Sequence, residues 1–248
     1  MYEDICYKHN TVEEVICRLD FASPIKMFDT SISKEIYNAV RKFFPIAEPQ
    51  EIIGTELFIN PVIGSKVNNI TAKQWLFWSR SKMSSCTISS SCVIFSIHDY
   101  DVFEDLKKAV LCILNTILSR DDTIQGKRLG LRYINSIKMG DHGNWITGQF
   151  FDALKGHKNE NTMRLVTTLE YAVVEKDINV RLVYGYVNPD YPAVMKNDDF
   201  TLDIDAYSQT IIFKDDLEKM IDNMHFEAQD CFEKMITQDL RNAMNTEE

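Results

Sequence analysis

The segment Lys127–Ile137 constrains the fold most, because it combines a strand-like alternation of residues with a position just after a long amphipathic stretch. Its side chains fall into an apolar and a polar set: Leu129, Leu131 and Tyr133, against Arg128, Gly130 and Arg132. Side chains two apart in a strand lie on the same face of a sheet. The segment is therefore predicted to be a strand with one face in an apolar core.

Similar alternation occurs in Thr11–Phe21 and Phe200–Tyr207. Two other stretches, Phe103–Ile117 and Leu217–Met235, carry apolar residues at spacings of three and four, which is typical of amphipathic helices. Capping-box patterns at Asp101–Glu104 and Asp215–Glu218 predict where these two helices begin. The remaining predicted elements are a helix from Ser31 or Ser33, a short strand near 55–59 followed by a loop, strands over Trp75–Lys82 and Ser84–Ser96, a helix over Asn144–Lys155, and a hairpin of Met163–Val174 with Ile178–Val187.

The order of these elements suggests an internal repeat. Residues 11–118 and residues 127–244 both give a strand, a helix, further strands and a final helix. We therefore predict an α+β fold with two similar half-domains, 1–125 and 126–248, each a mostly antiparallel sheet with a long amphipathic helix and related by a pseudo-twofold duplication. The alternative is chance similarity of two α+β units, and a single shared core is left open.

Composition restricts the class of protein. With 45% hydrophobic residues the chain can form a core, and no apolar run approaches the roughly 20 residues that cross a bilayer. The six cysteines include no CxxC pair, and the N-terminus lacks a basic segment followed by an apolar one. These features predict a reducing, cytoplasmic protein without a signal peptide or a membrane partner.

Charge indicates the kind of partner. A formal net charge of −10 disfavours non-specific nucleic-acid binding, since that affinity comes mainly from Lys and Arg on phosphates. The segment Lys196–Asp222 holds three Lys against eight Asp and Glu. An acidic face steers a basic surface towards it. We therefore expect a protein partner with a basic surface, and a homodimer is left open.

Two aspartates in this segment form a candidate metal site. Asp203 and Asp205 are two residues apart in a predicted strand, so both carboxylates are expected on one face. With Asp198 and Asp199 nearby, they can coordinate Mg²⁺ or Ca²⁺, which prefer clustered oxygen ligands. The competing interpretation is a solvent-exposed acidic strand face in a protein that needs no cofactor.

Three residues of the central strand form a candidate binding site for a ligand or partner. Arg128 and Arg132 are expected on one face, where two guanidinium groups can hold a phosphate or carboxylate. The competing interpretation is cross-strand pairing with carboxylates such as Glu170 or Asp203. Asn135 ends the inward face, where it either lines a site or bonds the buried backbone.

No pattern in the sequence defines a catalytic centre, because GxSxG, HExxH and phosphate-loop spacings are absent. We therefore expect a non-enzymatic interaction or regulatory protein that contacts a basic partner through its acidic C-terminal half. The alternative is a metal-dependent enzyme acting on a phosphate ester or nucleotide, with the aspartates on the ion and the arginines on the phosphate. That alternative requires Asp203 and Arg132 to lie within several ångströms of each other in one pocket.

Three segments occur together in this order: Val12–Phe21 (VEEVICRLDF), Arg128–Asn135 (RLGLRYIN) and Leu202–Asp205 (LDID) before a long C-terminal helix. Together they resemble a sporadically distributed prokaryotic family of proteins of similar length with no assigned activity. The chain departs from the family pattern at Thr11, where the family has Pro, and at Arg18-Leu-Asp20, where the charges are reversed. The resemblance implies a component of a mobile-element or antiviral-defence locus, and it supplies no catalytic residues.

Overall fold

A computed structural model of the chain describes residues 5–60, 64–139, 144–196 and 199–246, without the side chains of residues 53–60, 64–72 and 153. Within these residues the strands are β1 Val12–Phe21, β2 Ile46–Asn60, β3 Gly64–Trp78, β4 Ser84–Ile88, β5 Cys92–Ile97, β6 Gly126–Lys138, β7 Leu165–Val173, β8 Ile178–Tyr186 and β9 Asp199–Ser208. The helices are α1 Lys34–Arg41, α2 Phe103–Leu118, α3 Gly148–Lys155, α4 Leu217–Met235 and α5 Gln238–Asn245.

All nine strands belong to one sheet, in the order β2-β3-β4-β5-β1-β6-β9-β8-β7. Every neighbouring pair is antiparallel. The two strands with the clearest alternation, β1 and β6, are adjacent at its centre, where Cys17 lies opposite Leu131. The prediction of a mixed α+β protein with antiparallel strands is therefore confirmed.

The strands of the two predicted half-domains meet at the β1–β6 pair. Strands β2 to β5 lie on the β1 side, and β9, β8 and β7 lie on the β6 side. On each side the first strand of the half is central, and the next strand in sequence is at the outer edge. The sheet is continuous between the halves, and its buried apolar residues form one core cluster.

The described helices cover one face of the sheet because alternate strand residues on that face are apolar. Val15, Cys17 and Leu19 of β1 are at most 1% exposed, and Arg18 between them is exposed. Aromatic contacts attach the helical side to this face: Tyr37 to Phe77, Phe44 to Phe95 and Phe151 to Phe200, with ring centroids 5.7 to 6.3 Å apart. Each buried Phe contributes about 1.5–3 kcal/mol to stability. The opposite face carries charged side chains such as Arg18, Arg132 and Asp203 among half-buried aliphatic ones, and it is called the open face below.

The prediction for residues 46–72 was wrong. Instead of one short strand and a loop, this region contributes two strands of 15 residues each, β2 and β3, paired from Ile46 with Trp78 to Asn60 with Gly64. Pro49 lies in β2, which is an edge strand. Proline is tolerated there because one side of an edge strand needs no hydrogen-bond donor.

The bounds of two other elements differ from those that the sequence predicts. The strand over Ser84–Ser96 is divided into β4 and β5 by a turn, in which Ser89 Oγ accepts from the amides of Ser91 and Cys92. Serine favours such turns through this local bonding. Helix α2 begins after Val102, without a side-chain cap, so the predicted capping box at Asp101 does not form. None of the described helices is long and apolar enough to span a membrane.

Candidate functional site

The open face carries a charged row formed by Arg128 and Arg132 of β6 with Asp203 and Asp205 of β9. The two strands are neighbours, and their register places Arg132 opposite Asp205. All four side chains point away from the core, because Leu129, Leu131, Leu202 and Ile204 occupy the alternate, buried positions. The alternation that predicts these two strands thus also brings the four predicted residues together on one face.

Within the charged row each arginine pairs with one aspartate. Arg132 donates from Nε and Nη2 to the two carboxylate oxygens of Asp203, both at 2.6 Å. Arg128 Nη2 donates to Asp205 Oδ2 at 3.0 Å. The hydrogen bonds that Arg132 donates to Asp203 raise the pKa of Arg132, whereas burial raises the pKa of Asp205 despite the neighbouring arginines. The row is therefore a set of ion pairs, the arrangement that cross-strand pairing predicts.

The charged row continues across the next two strands. Arg181 of β8 lies opposite Asp205, and Glu170 of β7 lies opposite Arg181. Tyr207 donates from its hydroxyl to Glu170 Oε1 at 2.5 Å, and the Arg128 guanidinium carbon lies 5.1 Å from the centre of the Tyr207 ring. Arg181 and Tyr207 were not predicted as site residues, although the alternation in β8 and β9 places both on the open face.

The charged row meets the distance condition of the metal-dependent enzyme, but its arginines and aspartates already neutralise one another. Arg132 and Asp203 lie on one face, 2.6 Å apart, which meets the distance but not the shared pocket that the metal-dependent alternative requires. A cation at Asp203 and Asp205 must nevertheless replace guanidinium groups that already neutralise both carboxylates. No group of three or more His, Cys, Asp or Glu side chains suited to a metal occurs among the residues described. Asp198, the predicted additional ligand, lies outside the described residues.

Asn135 lies on the opposite face of β6 from the two arginines, so the three predicted residues do not form one site. Its side chain is 3% exposed. Asn135 Nδ2 donates to the carbonyl of Leu202 at 3.2 Å, and Thr11 Oγ1 donates to Asn135 Oδ1 at 3.1 Å. Asn135 thus bonds the buried backbone, as one of its two predicted roles requires. It also lines a cavity on the helical side.

This helix-side cavity has a volume of about 250 Å³. It lies between the first described residues of the chain, the start of α2, the strands β6 and β9, and α4. Aromatic rings form much of its wall: Tyr100, Phe103, Tyr133 and Phe232. Such concave, mostly apolar sites with a few polar groups are the usual form of a small-molecule site.

Two groups of hydrogen-bonded side chains lie at the cavity, one a buried pair and the other a part-buried set of three. Tyr133 Oη lies 2.8 Å from His225 Nδ1, and the His225 ring stacks on Phe103 with 3.8 Å between ring centroids. Glu233, 1% exposed, accepts from Tyr7 Oη at 2.6 Å and from Arg241 Nε at 2.7 Å. Burial and the Glu233 carboxylate both raise the pKa of Tyr7.

The sequence does not predict this cavity. Its polar residues come from distant segments, and only the fold brings His225 against Tyr133. One pattern within the sequence of α4 nevertheless indicates a polar site or a buried bond. His225 and Gln229 are four residues apart in α4, so they share a helix face within the apolar stripe of that helix. Polar residues inside an apolar stripe indicate either a satisfied buried bond or a site.

A third feature is the segment Ile211–Glu218, which precedes and begins α4. Ile211 and Phe213 are 53% and 52% exposed, although they are large and apolar. Asp215, Asp216 and Glu218 of the same segment are also exposed. The segment therefore presents apolar and acidic side chains together at one place on the surface.

Comparison with known proteins gives no further assignment. No protein-family model matches the chain, and no curated protein matches its sequence. The resemblance to a sporadically distributed prokaryotic family stays a prediction.

Proposed function

We propose that this protein is a cytoplasmic interaction and regulatory component, and that it binds a protein partner with a basic surface. The observation that carries the proposal is the exposed segment Ile211–Glu218, in which two apolar side chains stand beside three carboxylates. Large apolar side chains exposed together with charges are typical of a recognition surface. The partner is therefore expected to combine Lys or Arg with an apolar patch.

The proposed contact is narrower than the acidic region that the sequence indicates. Asp203 and Asp205 pair with arginines of the charged row. Asp222 pairs with Lys107, which also reaches Glu218. Asp215 and Asp216 remain as exposed carboxylates near Phe213, and the exposed Lys214 of the same segment offsets one of these two charges. Long-range attraction then comes from these two residues, and the apolar side chains contribute the area buried on binding.

Capture of a partner from a lysate of the source cells, followed by its purification, tests this proposal. Binding of the purified partner is then measured by calorimetry with the wild type and with a variant carrying Phe213→Ser, Asp215→Lys and Asp216→Lys. The matched control carries Glu160→Lys and Glu175→Lys, two exposed acidic residues elsewhere.

We expect the triple variant to bind at least about tenfold more weakly and the control to bind as the wild type does. Binding should also weaken as NaCl is raised, because contacts between exposed charges are screened by salt. Equal binding of wild type and triple variant, or binding that salt does not affect, would contradict the proposal.

The chain also offers a surface for a homodimer, the other arrangement left open by the sequence. Strand β7 is at the edge of the sheet, and its residues Leu169 and Tyr171 are 42% and 44% exposed. Two antiparallel copies paired about Leu169 would place Thr168 opposite Glu170, so no like charges meet. An edge strand without Lys or Pro readily adds a further strand. Sedimentation of the wild type and of Leu169→Lys tests this, since only the wild type should dimerise.

The strand order supports the predicted duplication of the two half-domains. In both halves the first strand takes the central position, and the later strands run from the edge towards the centre. We propose that the halves arose from one unit of about half the present length, and that the acidic segment before α4 distinguishes the second copy.

A further inference from the structure

The helix-side cavity is large enough for a small ring system. A dry apolar cavity of about 150 Å³ holds benzene. The volume here is about 250 Å³. Its wall offers aromatic faces from several elements, among them Tyr100, Phe103 and Phe232. Aromatic faces of this kind favour either a flat ring or a cation as their neighbour.

One residue that lines the cavity has a buried polar atom without a hydrogen-bond partner among the described residues. Gln229 lines the cavity, and its Nε2 donates to the carbonyl of Ile5 at 3.2 Å. The other end of the same amide, Oε1, is buried, and no hydrogen-bond donor among the described residues reaches it. A buried acceptor without a donor costs about 1–3 kcal/mol. Less than 1 Å² of this oxygen is exposed, so a ligand N–H group removes that cost when the amide turns its oxygen into the cavity.

The charges at the cavity select the ligand further. Three carboxylate residues line it: Asp101, Glu104 and Glu233. None of the described lining residues is Lys or Arg. The buried Glu233 is compensated by Arg241, whereas Asp101 and Glu104 are exposed at the mouth. The mouth therefore attracts a cation, and a phosphate or carboxylate ligand meets repulsion there.

We propose that the helix-side cavity binds a small aromatic amine, with its ring between the aromatic walls, an N–H donor on Gln229 Oε1 and its ammonium group near Asp101 and Glu104. This site is separate from the Ile211–Glu218 surface and does not depend on the proposed partner.

Two probes with the same ring system and opposite charge test the proposal: tryptamine and indole-3-acetate. Each is titrated into the full chain, with affinity measured by calorimetry. Occupancy is also followed through Cys6, which lines the cavity and is exposed, so that a thiol reagent can reach it. Cys17, Cys86, Cys92 and Cys231 are buried and serve as slow-reacting internal references.

Three substitutions locate the binding. Gln229→Met keeps the length of the side chain and removes the acceptor, and Glu104→Gln removes one charge at the mouth. Ala228→Leu adds volume at a lining position that is 2% exposed, so it narrows the cavity without using either polar group. Asp105→Asn is the matched control, since Asp105 is the next residue of α2, is exposed and does not line the cavity.

We expect tryptamine to bind about tenfold or more tightly than indole-3-acetate and to slow the labelling of Cys6. Gln229→Met and Ala228→Leu should each weaken tryptamine binding about tenfold, Glu104→Gln should reduce the difference between the two probes, and Asp105→Asn should bind as the wild type does. The proposal is overturned if tryptamine does not bind at millimolar concentration, if the acid binds as well as the amine, or if Ala228→Leu binds tryptamine normally.

Discussion

The charged row on the open face and the polar cluster at the helix-side cavity use similar groups in different surroundings. In the row, Arg132 keeps 40% of its side-chain exposure and its partner Asp203 keeps 14%. At the cavity, Glu233 has none and Arg241 keeps 18%. Exposed pairs are screened by water and contribute little, whereas a buried charge depends on its partner. The charged groups of the row are thus paired with one another, whereas the loss of a partner should change the free energy of unfolding most at the buried Glu233 of the cavity.

The largest effect should follow from neutralising the buried carboxylate at the cavity. Glu233→Gln leaves Arg241 and Tyr7 facing an amide in place of a charge. We expect a loss of about 3 kcal/mol in the free energy of unfolding, because one member of a buried ion pair loses its partner. Urea denaturation measures this. Glu218→Gln, at an exposed position, is the control, and a similar loss in both variants would remove the distinction between the two regions.

A smaller loss is expected on the inward face of β6. Asn135→Leu keeps the approximate size of the side chain and removes its bonds to Leu202 and Thr11. The free energy of unfolding should fall by about 2 kcal/mol, since two buried groups lose a hydrogen-bond partner. Ser136→Ala, the next residue on the open face, should change it by less than about 0.5 kcal/mol. Thermal unfolding of both variants checks this, and equal losses would contradict it.

Within the charged row the two aspartates should contribute differently to the free energy of unfolding. Asp203→Asn breaks the two-bond pair with Arg132 and should cost about 1 kcal/mol, a value reduced by the exposure of Arg132. Asp205→Asn should cost less, because burial already disfavours the charged form of Asp205. Denaturation of both variants at neutral pH gives the comparison, and a larger loss in Asp205→Asn would reverse this ranking.

Asp205 should also make the stability of the protein depend on pH. Because the folded pKa of Asp205 is raised, the folded protein holds this proton more tightly than the unfolded chain does. Its stabilising contribution is present below the ordinary carboxyl pKa of about 4 and is lost as the pH rises through the raised value. The stability of the wild type relative to Asp205→Asn should therefore decrease with rising pH. A relative stability that increases with pH would show the opposite shift.

The smallest effect should come from divalent ions. Both carboxylates of the row already have guanidinium partners, so Mg²⁺ or Ca²⁺ at millimolar concentration should shift the melting temperature by less than about 1 °C. An ion bound specifically to the folded protein would raise it further. A rise that disappears in Asp203→Asn would instead favour the metal-dependent enzyme.

The sequence predicted those parts of the fold and the candidate site that depend on local periodicity. Alternation identified β1, β6 and β9, and it placed Arg128, Arg132, Asp203 and Asp205 on the same kind of face. It did not decide between a ligand site and ion pairs, because that choice depends on the register between β6 and β9. Register is set by the whole sheet and by the positions of its turns.

Features that depend on tertiary contacts were missed. The Gly and Asn residues of 46–72 favoured a loop, and only the position of β2 at the sheet edge makes Pro49 acceptable in a strand. The cavity brings together residues from the N-terminal segment, α2, β6 and α4, so no single stretch reports it. The exposed acidic segment was anticipated in composition, but which of its carboxylates are paired was not.

The central position of β1 and β6 has a consequence for how the chain folds. Most strand pairs join neighbours in sequence, as in the β2–β3, β4–β5 and β7–β8 hairpins, and these can form early by closing short loops. The β1–β6 pair joins opposite halves of the chain, where Leu19 meets Leu129. Such non-local pairing slows folding. The two sides of the sheet are thus expected to assemble separately and to join last along this line, so substitutions there should act mainly on the unfolding rate.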